Sequence, residues 1–273
     1  MLWALIPVVL KTGQNSLDNH QFLFYSSLVS FLLFALLSFF TKSYKTFKKL
    51  NVITWAKTVF LGFLGTYLYY ILLYFGYKNA KGLEVLVLQY SWPIFIVLLS
   101  TVLLKEKLTK KKILSIVIGF LGVIFMLTKG NFAQIHLNNI KVDILVIFGA
   151  FAFALFSVLS KKVTIDAYTL NTIYFFTATI CSFISMLTFS SFKLPNTHSL
   201  LPIIINGLFV NGISYLFWIK ALKYAPASFV APFVFLTPIV SSLYLVLFFG
   251  EIFLSIYLVG MILVIIGGVI GTV

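Results

Sequence analysis

Gly62-Phe63-Leu64-Gly65-Thr66-Tyr67-Leu68-Tyr69-Tyr70 opens a stretch that returns without a gap as Gly207-Leu208-Phe209-Val210-Asn211-Gly212-Ile213-Ser214-Tyr215. At the same offset (207 − 62 = 145), Lys78 pairs with Lys223, Ala80 with Ala225, Pro93 with Pro238, Glu106 with Glu251 and Gly122 with Gly267. Self-similarity at a fixed spacing marks an internal duplication. Each copy extends outward over five apolar runs, which gives repeats at 1–128 and 142–273. Five spans is an odd number, so the second copy sits upside down relative to the first. The expectation is an all-α membrane protein with ten transmembrane helices in two inverted five-helix repeats.

Composition points the same way. The chain has 273 residues, of which 61% are hydrophobic and 10% charged, with a mean hydropathy of +1.09. Soluble domains carry roughly 25% charged residues, so a soluble fold is excluded. A bilayer core takes roughly 20 apolar residues per helix, which leaves room for about ten spans and no sizeable extramembrane domain. The apolar runs fall near 1–14, 20–40, 54–76, 83–103, 113–128, 142–160, 167–190, 200–220, 226–249 and 253–273. The first is short, because only Met1 and Leu2 precede Trp3 and Lys11 follows soon after. No signal-peptide pattern precedes it, so this span is expected to act as its own insertion signal.

All twenty basic residues are lysines, and the net charge is +14. They cluster between apolar runs, where they read as topology signals and contacts to anionic lipid, not as a nucleic-acid surface. With a cytoplasmic N-terminus, fourteen of the twenty lysines fall on the inner side. The positive-inside bias therefore places both termini in the cytoplasm, in a cell (inner) membrane. Cys181 is the single cysteine, so no disulfide or cysteine metal cluster is expected.

Several motifs resemble the drug/metabolite transporter superfamily, specifically its ten-helix family built from two EamA-type repeats. They are Leu2-Trp3-Ala4 with Lys11, Gln89-Tyr90-Ser91-Trp92-Pro93, Ser157-Val158-Leu159-Ser160-Lys161-Lys162, Tyr215-Leu216-Phe217-Trp218 with Ala221-Leu222, Leu236-Thr237-Pro238, and Gly250-Glu251. The run around Trp92 is similar to the branch that exports aromatic amino acids. The resemblance implies a secondary transporter moving a small metabolite by alternating access. It further implies that the first four helices of each repeat enclose a central cavity while the fifth and tenth pack outside. The family often carries an arginine in its second span; this chain has none, so no bidentate guanidinium is available to grip a substrate carboxylate.

Pro93 and Pro238 fall near the middle of their predicted spans, where each removes a backbone donor and disturbs the carbonyl four residues earlier, at Gln89 and Val234. They read either as hinges or as static kinks. Tyr67, Tyr70, Tyr74 and Tyr77 recur at helical spacing and predict one stripe on the third span. With Trp3, Tyr90, Trp92, Tyr215 and Trp218 they are the candidate lining of an aromatic pocket, or else ordinary helix packing. Such a pocket suits an aromatic ring by stacking or an organic cation by the negative ring faces. Gln89 is the further polar candidate. Glu84 is the acid read as lying within an apolar run, and three roles stay open for it: a proton-coupling site, a counter-charge for a cationic substrate, or an interfacial carboxylate paired with Lys78 or Lys81.

His20, His136 and His198 fall at span ends and read as solvated, so neither a metal site nor a cofactor is expected. Glu106 and Glu251 read as N-terminal charges of the fifth and tenth spans. Ser115, Gly119, Gly122, Gly260, Gly267 and Gly271 predict small-residue faces for close helix approach. The scattered acids and histidines do not assemble an enzyme's acid, base or metal set, and no Walker motif supports direct ATP drive. The expected partners are a small-molecule substrate and the lipid bilayer. An organic cation is the second substrate reading, and a non-transporting membrane interaction protein is the alternative of another class.

Overall fold

The structure is a computed structural model that describes residues 2–13, 17–80, 82–134, 139–250 and 255–272. Lys81, His136 and Glu251 lie outside the described residues. Among those described, all regular structure is helical. A short 3-10 turn, Leu2–Leu5, leads into α1 (Ile6–Gly13). The longer elements are α2 (Asn19–Phe40), α3 (Val52–Asn79), α4 (Glu84–Leu104), α5 (Lys110–Leu127), α6 (Ile140–Lys161), α7 (Ala167–Phe189), α8 (Thr197–Tyr224), α9 (Ala227–Phe249) and α10 (Ile256–Thr272). Seven of them, α2, α3, α4, α6, α7, α8 and α9, are long and apolar enough to cross a membrane, and α10 contributes the shorter apolar stretch Tyr257–Ile270. Large apolar side chains stay exposed along these helices, among them Leu36, Phe39, Ile144, Ile184 and Phe217. Apolar surface on that scale needs lipid around it.

Short polar residues set where helices start. Asp18 begins α2 with a capping box: its carboxylate accepts the His20 and Gln21 amides at 2.8 and 2.9 Å, and the Gln21 side chain accepts the Asp18 amide at 3.0 Å. Asn51, Thr109, Asp166 and Asn196 cap α3, α5, α7 and α8 in the same way. Each supplies an oxygen to amides that have no partner within their own helix. Burial raises the Asp166 carboxyl, but hydrogen bonds from the Thr169 side chain and amide and from Ser43 and Thr46 outweigh it, leaving the group below its ordinary value.

Two compact units result. One comprises Leu72–Val158 with Tyr224–Val273, the other Leu2–Ile71 with Leu159–Lys223. Each unit draws on both sequence repeats.

In the second unit α2 packs on α7 with opposite direction. His20, near the start of α2, meets Ser185 near the end of α7 (3.1 Å), while Ser38 meets Thr172 near its start (2.9 Å). His20 also stacks on Phe189, so it is a packing residue and not the solvated one the sequence suggested. A Cβ at Gly62 would stand 2.8 Å from the Tyr174 backbone, and one at Gly207 would stand 2.5 Å from Val29. The two contacts are equivalent, since Val29 and Tyr174 differ by the repeat offset (174 − 29 = 145).

In the first unit α5 and α10 also run in opposite directions, with Gly122 against Gly260 and Ser115 against Gly267. A Cβ at Gly122 would lie 2.8 Å from the Gly260 carbonyl oxygen. Glycine at these positions lets the backbones touch. Glu106 departs from expectation. Its carboxylate accepts the amides of Ala227 (2.8 Å) and Ser228 (3.0 Å) and the Ser228 hydroxyl (2.5 Å), so it caps α9 and not the adjacent α5. Lys112 Nζ donates to the same hydroxyl at 2.7 Å. The αL conformation of Lys105 (φ 57°) turns the chain back after α4 and so delivers Glu106 to that helix end.

Candidate functional site

The sequence-selected residues divide between the two units. In the unit formed by Leu2–Ile71 and Leu159–Lys223, the Trp3 ring lies 5.9 Å from Tyr215 at 81° and 5.4 Å from Trp218 at 58°. Tyr215 is fully buried, its hydroxyl donates to the Gly65 carbonyl at 3.1 Å, and its ring meets Phe175 edge-on at 5.1 Å. A phenol inside a membrane helix needs such an acceptor, because an unsatisfied hydroxyl is costly there. The Gly65 carbonyl lies within a π-helical turn, Phe63–Leu68 in α3, and α8 carries the matching turn at Asn206–Ile213.

That π turn falls across the start of the tyrosine series, at Tyr67. The spacing argument assumed 3.6 residues per turn throughout, whereas π geometry closes hydrogen bonds over i to i+5 and shifts the register. Tyr70 and Tyr74 remain almost fully buried, and Tyr67 is half-buried against Phe63. Tyr70 packs on Tyr69 at 5.0 Å.

In the other unit α4 is interrupted. The helical stretch Gly82–Gln89, which contains the start of α4, ends in a turn at Tyr90 and Ser91, and a second stretch, Trp92–Leu104, follows. Pro93 sits in the first turn of that second stretch, where the missing N–H has no acceptor to lose. Pro238 similarly occupies the first turn of Leu236–Phe249, directly after the 3-10 turn Ala231–Phe235. Pro93 therefore follows an interruption of α4, whereas Pro238 follows a 3-10 segment within the continuous helix α9. The break turns Trp92 onto Phe153 of α6 (4.9 Å, 71°), with Phe95 on Phe151 beside it. Trp92, Tyr90, Tyr74 and Gln89 are all buried, and the Tyr77 hydroxyl donates to Gln89 Oε1 at 3.2 Å. Glu84, at the head of α4, is 2% exposed.

Sequence reasoning passed over Phe153 and Phe175, which lie in apolar runs and look like core, and Asp143, which is 4% exposed with neither carboxylate oxygen hydrogen-bonded. Asp143 stands three residues into α6, and a span drawn from 142 makes it look like a surface residue. Asn211 was also missed; it is 1% exposed, with neither amide atom hydrogen-bonded. Among the described residues no group of three His, Cys, Asp or Glu side chains could hold a metal.

The model of the EamA-like transporter family matches residues 1–128 and again 140–272. An uncharacterized transporter of Bacillus subtilis, YyaM, is 27% identical over 193 residues, covering 68% of this chain and 63% of YyaM. This chain thus matches less than two thirds of that relative's length. An uncharacterized transporter of Archaeoglobus fulgidus is 24% identical over 254 residues (89% of this chain, 84% of the relative), and the uncharacterized transporter YetK of B. subtilis is 25% identical over 278 residues (98% and 79%). A solved crystal structure shares the fold at a TM-score of 0.85 and 16% identity, covering 99% of this chain and 93% of that one.

Proposed function

The chain belongs to the EamA-like transporter family, and from that premise we propose that it is a secondary transporter carrying a small amphipathic, ring-bearing metabolite, of the aromatic amino-acid type, by alternating access. The family match to both halves of the chain carries the reading. The antiparallel packing of repeat-related helices, α2 with α7 and α5 with α10, supports two inverted repeats at 1–128 and 142–273. Inverted repeats are the common frame for alternating access. The lysine bias supports both termini in the cytoplasm of a cell membrane.

Within each unit the candidate substrate-facing surfaces are aromatic: Trp3, Tyr215 and Trp218 in one, Tyr74, Tyr90, Trp92 and Phe153 in the other. Ring faces and edges offer stacking partners to an aromatic substrate. The interruption before Pro93 and the 3-10 segment before Pro238 are the proposed places where α4 and α9 bend. The buried Glu84 favours a second reading, an organic cation as cargo, and keeps proton coupling at that residue as part of the proposal.

Flux of a labelled panel of amino acids and amines into proteoliposomes tests the function. Transport of at least one ring-bearing member, lost in Trp92→Ala protein that still folds, is the expected result. Absence of flux for the whole panel refutes the transporter reading for this substrate class.

A further inference from the structure

The π segment Asn206–Ile213 of α8 holds amide groups that the fold leaves unused. Asn211 is 1% exposed, and neither its Oδ1 nor its Nδ2 is hydrogen-bonded; Asn206, one π turn earlier, is 2% exposed with Nδ2 unpaired. The first repeat shows what this position does when it only packs. At the repeat offset (211 − 66 = 145) Asn211 corresponds to Thr66, whose hydroxyl shares its proton between the Gly62 carbonyl at 2.5 Å and the Tyr174 carbonyl at 3.0 Å and so closes α3 onto α7. In the second copy the Gly207 carbonyl is already taken by the Ser30 hydroxyl of α2 at 2.8 Å, so that crossing is closed without Asn211. A buried polar group with no partner is unfavourable, and packing gives this one no use. Asn211 borders the ring cluster of the same unit. The Leu2–Leu5 turn, which carries Trp3, packs against the π segment. Tyr215 follows Asn211 by four residues and Trp218 by seven, the spacing of one helix face, and both rings meet Trp3. No residue of Leu2–Leu5 or of 206–218 carries a charge. A head group of net charge would be buried there without a counter-charge, which is costly.

We infer that Asn211 is the subsite for the polar head of the substrate: an electroneutral group that carries hydrogen-bond donors and acceptors side by side, as an α-amino acid zwitterion or a primary carboxamide does. This deepens the transporter reading and rests on it only for the claim that the bound molecule is cargo. Asn211 Nδ2 donates to an oxygen of the head group and Oδ1 accepts from its N–H, while Trp3, Tyr215 and Trp218 flank the attached ring. Such a residue sets specificity, because a ligand lacking either function leaves a buried partner unsatisfied.

The test uses the full chain purified in detergent and titrated at neutral pH with four probes: L-phenylalanine, 3-phenylpropionamide, the cation phenethylammonium and the anion 3-phenylpropionate. Thermal unfolding and intrinsic Trp fluorescence are the readouts, since Trp3 and Trp218 flank the subsite. One or both electroneutral probes are expected to raise the unfolding temperature, with an affinity at least tenfold above that of either charged probe. Binding of the zwitterion alone assigns an amino acid head, and of the amide alone a carboxamide. Asn211→Thr installs the residue of the first copy, so without ligand its unfolding temperature is expected to equal or exceed that of the wild type while affinity for the electroneutral probe falls at least tenfold. The inference is overturned if neither electroneutral probe binds, if a charged probe binds as tightly, or if Asn211→Thr leaves the affinity unchanged. Should Asn211→Thr fail to fold, Asn211→Ala decides by the same criterion. Binding that Asn211→Thr abolishes, with no flux of the wild type in proteoliposomes, refutes transport and leaves the subsite standing. Flux that Asn211→Thr does not diminish overturns the subsite and leaves transport standing.

Discussion

The α2–α7 pair and the α5–α10 pair are both related by the 145-residue offset and antiparallel, yet they hold together by different means. Between α2 and α7 side chains make the contact: Thr172 donates to the Phe34 carbonyl at 3.1 Å, Ser38 and Thr172 share a hydrogen bond at 2.9 Å, and Phe24, Phe31 and Phe34 pack on Phe183, Phe176 and Phe175. Between α5 and α10, backbones approach at glycines. Lipid is as apolar as leucine, so helices in a bilayer gain little from hydrophobic contact and must use hydrogen bonds or close backbone packing. The α2–α7 pair joins the unit that holds Trp3, Tyr215 and Trp218.

The comparison is broken most severely at Gly122. Gly122→Leu places side-chain atoms where the Gly260 carbonyl stands, and overpacking of this kind costs about 1–3 kcal/mol or more. A large fall in unfolding temperature in detergent is expected; an unchanged temperature shows that α5 and α10 do not pack as described. Glu106→Ala comes next, because it strips three hydrogen bonds from the start of α9, and losing a helix cap costs about 1–2 kcal/mol. Thermal unfolding checks it, and Glu106→Asp should recover only part of the loss because the shorter side chain falls back from the Ala227 and Ser228 amides.

Thr172→Val is gentler. It keeps shape and removes the bridges to the Phe34 carbonyl and the Ser38 hydroxyl, and such bridges in membranes average about 0.6 kcal/mol each. A drop as large as that of Gly122→Leu refutes the contrast between the two pairs. The smallest effect concerns acid. The Asp166 carboxyl is held below its ordinary value of 3.8, so its contribution is present above that pH and is lost as pH falls through the folded-state value. Wild-type protein should therefore lose more stability than Asp166→Asn when acidified below about 3.8. Parallel pH curves contradict the capping assignment.

The outline of the fold was legible because the bilayer imposes it. Apolar runs of the right length and small residues at Gly122 and Gly267 each have one dominant physical use in a membrane chain. The site was less legible. The rings of Trp3, Tyr215 and Trp218 meet within one unit. Tyr67 was grouped on a helical period that the π turn at Phe63–Leu68 breaks. Asp143 escaped notice because a span boundary one residue away made it look like surface.

By itself the sequence determined the membrane class, the apolar runs and the internal duplication, since hydropathy and a constant offset of 145 residues are local or linear properties of the chain. Only the tertiary structure decided that Glu106 serves α9, that Pro93 follows an interruption of α4, and that Asp143 is buried with neither carboxylate oxygen hydrogen-bonded. The reason is that a carboxylate's partner, a helix break and a residue's burial depend on which distant segments arrive beside it, and that is settled by packing and not by spacing along the chain.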